Sequence, residues 1–335
     1  MISSRGTKDE FLNDPEVVCF GGWLTKVICG TVTINYMATS DTQFGTLSEA
    51  KKAYQWPPKK KVIPLPTGAP VILQARANLA ANEVVLDQLS AGLRVALHAS
   101  PTNHAVIAAW VKAIFVWGGV YTKRGNAAWL TGISGHVGTY LPRTLKVLGS
   151  VLREQDIDHL LDLRSNAGTT KVHSLALPAF IIYDSRVAAA LSWLVVRWAC
   201  ETERTAVPVK LQFGCMRPNT SDRNKLRTPA KRIFPYFSPV ANNLNSQRRH
   251  ARWNLRANWL LYRSLAQAQR TCGKNEFASL RDVEAALFVM GADLSHALPN
   301  YQACIERLNA NQKTERNVKT YRSDELEPVL SNVIT

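Results

Sequence analysis

Close cysteine pairs are missing from this sequence. Its six cysteines, Cys19, Cys29, Cys200, Cys215, Cys272 and Cys304, form no CxxC, which excludes the common zinc and iron–sulfur spacings. A chain of 335 residues buries a sufficient core without disulfides, so reduced thiols in a cytoplasmic protein are the expectation. Long apolar runs are missing too. The longest, Ala105 to Tyr121, has 17 residues with Lys112 inside it, short of the roughly 20 that span a bilayer. Met1 to Asp14 is polar and mixed in charge, so neither export nor a membrane is expected. Nothing implies a cofactor, a metal or an obligate protein partner.

Acid is scarce, and unevenly so. The chain carries 41 Lys+Arg against 25 Asp+Glu, a net +16. Between Lys210 and Arg270 there are thirteen basic residues, Arg248, Arg249 and Arg252 among them, and a single acid, Asp222, so this stretch holds +12 of the total. Tyr236, Phe237, Trp253, Trp259 and Tyr262 are interleaved with the cations. Cations neutralise phosphates and flat rings stack on bases, which points to nucleic acid as partner. A solvated face with aromatics in the core is the alternative. The shorter run Lys59-Lys60-Lys61 reads as an exposed linker.

Organisation follows from periodicity. Val17 to Tyr36, rich in β-branched residues with Gly21, Gly22 and Gly30, reads as one or two short strands. Trp56 to Pro70 holds five prolines and reads as an extended connector. From Val71 the spacing is helical, with helices predicted at Asn82 to His98, Thr102 to Trp117, Leu141 to Leu163, Ser185 to Cys200, Arg248 to Ala268 and Ser279 to Phe288. Gly118-Gly119 ends the second of these. The fold expected is mainly α with a small β element near the N-terminus: an N-terminal segment over 1–70, a helical domain over 71–308 and a polar tail over 309–335.

One stretch carries the chemistry. A helix from Asp156 to Leu163 stops at a turn, Arg164-Ser165-Asn166-Ala167-Gly168, and a second helix starts at Thr169-Thr170-Lys171. Pro178 interrupts it, and Asp184 stands directly before a third helix. Gly168 can take a positive φ in such a turn. Free amides of Gly168, Thr169 and Thr170 would make a phosphate site. His159 and His173 read as phosphate-side or helix-surface groups, and Ser279 to Glu284 as a capped helix start with a structural role.

In the order of Gly168, Thr170-Lys171-Val172 and Asp184, over about forty residues, the chain resembles the helix-hairpin-helix DNA glycosylases, specifically their oxoguanine-glycosylase branch. It departs in two places: the hairpin at 156–177 has no Leu-Pro-Gly-Val-Gly, and only 13 residues separate Lys171 from Asp184. The resemblance implies helical lobes, double-stranded DNA as partner, and excision of an everted modified base with Asp184 and Lys171 as the catalytic pair. It extends to bacterial glycosylases of this fold that act in phage defence by removing glucosylated hydroxymethylcytosine. Repair of oxidised purines is the other implied use.

The chemistry explains the residue types. Breaking an N-glycosidic bond builds positive charge on the sugar, which a fixed carboxylate stabilises. Asp184, capping the next helix, is held in its ionised form by helix amides. Lys171 attacks the sugar carbon only as a neutral amine, which burial and the positive end of its own helix favour; strand cleavage then follows, and otherwise an abasic site remains. Eversion needs a wedge and a pocket, and Trp117, Tyr121 and Asn126 are the candidates. Arg186 is expected at a phosphate or against the carboxylate. A hairpin protein that binds DNA without cutting is the competing class, while a magnesium nuclease lacks clustered carboxylates.

Overall fold

The computed structural model describes residues 6–150, 153–219, 222–237, 243–273 and 276–311. Its first long helix lies where strands were expected. Asp14 accepts hydrogen bonds from the amides of Glu16 and Val17, Pro15 occupies the first turn, and helix α2 runs over Pro15–Ile28 after a short α1 (Lys8–Leu12). Val17, Phe20, Leu24, Val27 and Ile28 recur at helical spacing and are buried, a period that outweighs the strand preference of the β-branched residues. Among the described residues strands come in pairs: β1 (Tyr36–Met37) with β2 (Gln43–Phe44), then β3 (Lys61–Ile63) with β4 (Val71–Leu73), both antiparallel. A helix, α3 (Leu47–Lys52), lies between the pairs. The proline-rich connector is therefore half a hairpin, and the boundary expected near residue 70 falls between its two strands.

The predicted helices follow in order, with α4 at Leu79–His98, α5 at His104–Trp117 and α7 at Val137–Ser150, and a helix that was not expected, α6, lies at Asn126–Ile133. Then come α8 (Thr169–Ala176), α9 (Ser185–Glu201), α10 (Leu244–Thr271) and α11 (Leu280–Met290). A parallel pair, β5 (Cys215–Met216) with β6 (Tyr236–Phe237), precedes α10. The fold is mainly helical, with small β elements. The helix predicted over Leu141 to Leu163 is broken: α7 ends at Ser150, a 3-10 helix covers Glu154–His159, and 160–168 is turn and extended chain. The arm leading into the hairpin is thus not α-helical. The predicted polar tail continues a helix over 302–311, and the rest of it lies outside the described residues.

Two hydrophobic cores form. One joins α1–α3 and the first sheet to α9, α10 and α11; the other joins the β3–β4 hairpin to α4–α8. The first is built around α9, which is buried from Val187 to Ala199, Ser192 and Arg197 included, and takes Trp193 and Trp198 completely out of solvent. Chain segment 177–184 runs between the two cores, with Phe180, Ile181 and Tyr183 in the first and Ile182 in the second. At its far end Gly291, which closes α11, lies so close to the Arg186 backbone that a Cβ would collide with it. This contact ties the start of α9 to the end of α11.

The cysteines correct the expectation of reduced thiols. Cys29 pairs with Cys272 and Cys200 with Cys304, at Cα separations of 6.0 and 5.9 Å. The partners are 243 and 104 residues apart, so only the packing of α2 on α10, and of α9 beside the final helix, brings them together. Among the described residues no helix is long and apolar enough to cross a membrane.

Candidate active site

Asn166 builds the turn before α8. Its Oδ1 accepts from the amides of Gly168 (2.7 Å) and Thr169 (3.1 Å), and the Asn166 amide donates to the Thr169 hydroxyl at 3.0 Å. The amides expected to greet a phosphate are therefore satisfied internally, and Thr169 and Thr170 are buried. Gly168 is also corrected: its φ is −80°. Glycine is required there for approach, because a Cβ would strike the Asn126 side chain. Asn126 in turn accepts from Asn166 Nδ2 at 3.1 Å and donates to the Val120 carbonyl. It braces the hairpin and is not among the residues walling the cavity at Lys171 and Asp184.

One helical turn on, Lys171 points inward. Its stem lies on Gly118, where a Cβ would meet it, and its ammonium donates to the Ala167 carbonyl at 3.1 Å. Asp184 arrives from the other side as the N-cap of α9. Its Oδ1 accepts from the amides of Arg186 (2.9 Å) and Val187 (3.1 Å), and Oδ2 lies 3.5 Å from Lys171 Nζ. The two side chains are only 7% and 13% exposed. Burial pushes the Asp184 carboxyl up, but the Lys171 charge, the two amides and Arg186 outweigh it and hold it below its ordinary value. The sequence motif is assembled: hairpin, lysine and carboxylate meet.

They meet at a cavity of about 40 Å³ walled by Tyr54, Trp56, Trp117, Ile182, Glu284 and Phe288. Trp56 stands edge-on to Phe288 at 5.7 Å, and its Nε1 donates to the Trp117 carbonyl. Trp117 is buried, donating to Asn82 Oδ1 at 3.2 Å, so it serves the wall and the core together. The Arg186 guanidinium lies over the rings of Phe288 (4.3 Å) and Trp56 (6.0 Å) and pairs with Asp222 at 3.6 Å. It covers the aromatic wall, while the Asp184 carboxylate receives its backbone amide.

Sequence reasoning missed four participants. Glu284, expected to be structural, is buried beside Asp184; burial foremost, together with the Asp184 charge, raises its carboxyl above the ordinary value despite Arg281, the Ile182 amide and Lys171. Trp56 and Lys61, expected in an exposed linker, face inward. Lys61 donates to the Val116 carbonyl at 2.9 Å with its ammonium 5.3 Å from the Trp56 ring, and burial, then the charge of Lys171, lowers its pKa. Phe288 is the last residue of a predicted helix. A tryptophan beside a lysine triplet and an acid three residues before a helical apolar run were the available signals, and neither points to a cavity without the fold.

Other predicted residues lie elsewhere. Tyr121 is on the surface under Lys112. His173 is buried, not surface, with a pKa lowered by burial to about 4, whereas His159 is exposed. The basic segment is partly spent inside the protein: Arg248 and Arg252 pair with Asp158, and Arg256 with buried Glu154. These acids lie outside the segment, which is why its charge looked uncompensated. Arg217, Arg223, Lys225, Lys231, Arg232 and Arg249 face solvent, as do Lys59, Lys60, Lys123 and Arg124. Arg249 lies over Phe237 and Arg217 over Tyr236. Among the described residues no group of three or more His, Cys, Asp or Glu is placed to hold a metal ion. Comparison with protein-family models, curated proteins and solved structures gives no match.

Proposed function

We propose that the protein is a DNA glycosylase that everts a modified base and hydrolyses its bond to deoxyribose. The observation that carries this reading is the Lys171–Asp184 pair, 3.5 Å apart and nearly solvent-free, at an aromatic-walled cavity where the two cores adjoin. As the base leaves with the bonding electron pair, the sugar becomes cationic. Asp184 Oδ2 is the oxygen that faces it, beside the Lys171 ammonium, since Oδ1 is held by two amides. Water then adds to the sugar carbon and its proton passes to the departed base, leaving an abasic site and the free neutral base. Attack by Lys171 in place of water requires that its ammonium first give up a proton, and would end in strand cleavage.

A volume of about 40 Å³ is far below the roughly 300 Å³ of the smallest usual ligand pockets, so a base enters only as the Trp56 and Arg186 side chains swing from the wall. The rings that part would then stack on it. Double-stranded DNA is the partner we propose, held by the exposed cations of 217–232, Lys59, Lys60, Lys123 and Arg124. The proposed substrate is glucosylated hydroxymethylcytosine in phage DNA, its sugar projecting through the mouth; an oxidised purine is the alternative. Work on intracellular DNA would set the protein in the cytoplasm, where its disulfides face a reducing pool.

The test is incubation without added metal with unmodified DNA, 8-oxoguanine DNA and glucosylated hydroxymethylcytosine DNA. Abasic sites are then probed by alkali and by a hydroxylamine reagent. Alkali-labile sites in one modified substrate alone support the reading, and cleavage before alkali implicates Lys171. Tight, salt-sensitive binding with no abasic site in any substrate would instead favour a non-catalytic DNA-binding protein.

A further inference from the structure

Ile181, Ile182 and Tyr183 lead directly into Asp184, and they present a problem of backbone chemistry. All three are buried, yet they belong to no helix and to no strand. Buried amides and carbonyls without partners are costly, so partners are expected from side chains. The Ile181 amide donates to Asn258 Oδ1 at 2.7 Å and its carbonyl accepts from Asn254 Nδ2 at 3.3 Å. The Ile182 amide donates to Glu284 Oε2 at 2.6 Å, and the Tyr183 amide to the Thr170 hydroxyl at 3.3 Å. Three helices therefore grip three consecutive residues.

The grip from α10 belongs to a longer pattern. Gln247, His250, Asn254 and Asn258 recur at helical spacing along one face of α10, and all four are buried. At the near end, Gln247 Oε1 accepts from the Ser165 amide at 2.7 Å and His250 Nδ1 is 2.8 Å from the Ser165 hydroxyl. At the far end, Asn258 Nδ2 donates to the Asn254 carbonyl at 2.8 Å, which orients its oxygen toward Ile181. Apolar residues at these positions would fill the space but leave the buried Ser165 and Ile181 backbone groups without these partners. Polar ones are retained where they fix a geometry. This face touches the hairpin that precedes Lys171 and the segment that precedes Asp184.

We infer that Asn254 and Asn258 are positioning residues which, by clamping Ile181, hold the Asp184 carboxylate against Lys171. The inference deepens the glycosylase reading and rests on it for its catalytic consequence, though the placement of Asp184 can be measured without any substrate. Lys171 on α8, Arg186 on α9, Glu284 on α11, Arg227 and Tyr54 are the charged and titratable groups facing Asp184. The carboxyl's proton affinity therefore reports how it sits among them.

The experiment follows the Asp184 side-chain carbon by NMR across pH in the full chain, in the wild type, Asn254→Leu, Asn258→Leu and Ser264→Ala. Ser264 is a buried α10 residue that donates to the Gly21 carbonyl of α2, away from Ile181, and its truncation controls for lost stability. Both asparagine variants should move the Asp184 titration up, toward that of an ordinary carboxylate. Single-turnover base release should fall at least about tenfold, since small misplacements of reacting groups are expensive, with DNA affinity unchanged. Ser264→Ala should lower thermal stability and move neither. An Asp184 titration unchanged in both variants, or moved equally by Ser264→Ala, overturns the inference. Should Asn258→Leu not fold, Asn254→Leu gives the same reading. If the wild type releases no base from any substrate, the glycosylase reading fails while the titration still decides the positioning.

Discussion

Replacing Asp184 by Asn separates catalysis from DNA binding, at a measurable cost in stability. The amide oxygen of Asn caps a helix as well as a carboxylate, so the bonds from the Arg186 and Val187 amides survive. What is lost is the charge 3.5 Å from Lys171 Nζ, with both groups almost excluded from water. Removing one member of a buried pair costs roughly 3–5 kcal/mol; the lower end applies because Lys171 keeps its bond to the Ala167 carbonyl. Urea unfolding should register that loss. The sugar cation of the transition state also loses its counter-charge, which by analogy with removal of a single stabilising donor slows release by about 10²–10³-fold. Asp184→Ala should lose about 1 kcal/mol more through the cap. DNA affinity, read by fluorescence anisotropy, should not change. A folded Asp184→Asn protein that binds DNA and releases base within about threefold of wild type would refute the reasoning.

Stability should fall in acid because of two buried histidines. Burial lowers His173 to about 4, and burial with the charge of His173 lowers His250 to about 3, from an ordinary 6.5. Between those values and 6.5 the unfolded chain binds protons that the folded protein refuses. Stability is therefore full above 6.5 and declines below it by about 1.4 kcal/mol per pH unit for each histidine; a level profile from pH 7 to 5 would contradict this. Thiol titration of the oxidised protein should find Cys19 reactive in the native state and Cys215, which is buried, only after denaturation, with four further thiols appearing on reduction. Alanine at Arg223, Lys231 and Arg232 should flatten the salt dependence of DNA binding by about 0.9 for each phosphate left unneutralised, while Arg256→Ala, which strands buried Glu154, should lower the melting temperature instead. Gly168→Ala should destabilise by about 1–3 kcal/mol through overpacking against Asn126, measured by denaturant melts.

Helices with a clean apolar stripe were legible in the sequence: α4, α5, α9, α10 and α11 lie within a few residues of their expected bounds. So was the local grammar of the site, because an N-cap carboxylate and a first-turn lysine are properties of adjacent residues. Long-range pairing was not legible. The acids that neutralise α10 stand at Glu154 and Asp158, and the cysteine partners lie in distant helices. Glycines and β-branched residues in α2 mask its Asp14-Pro15 start signal, so the segment reads as strand. Trp56 and Glu284 are each ordinary in their own segments, and only the apposition of the two cores gives them a shared wall.

The claim at the centre is that a deoxyribose losing its base lies against Asp184. A structure of the protein bound to duplex DNA carrying a stable abasic-site analogue measures this directly. The analogue should be everted, its ring oxygen side facing Asp184 Oδ2, with the Trp56 and Arg186 side chains displaced from Phe288. An unbent duplex resting on the basic surface, with its sugars remote from Asp184 and the cavity still closed, would contradict the account.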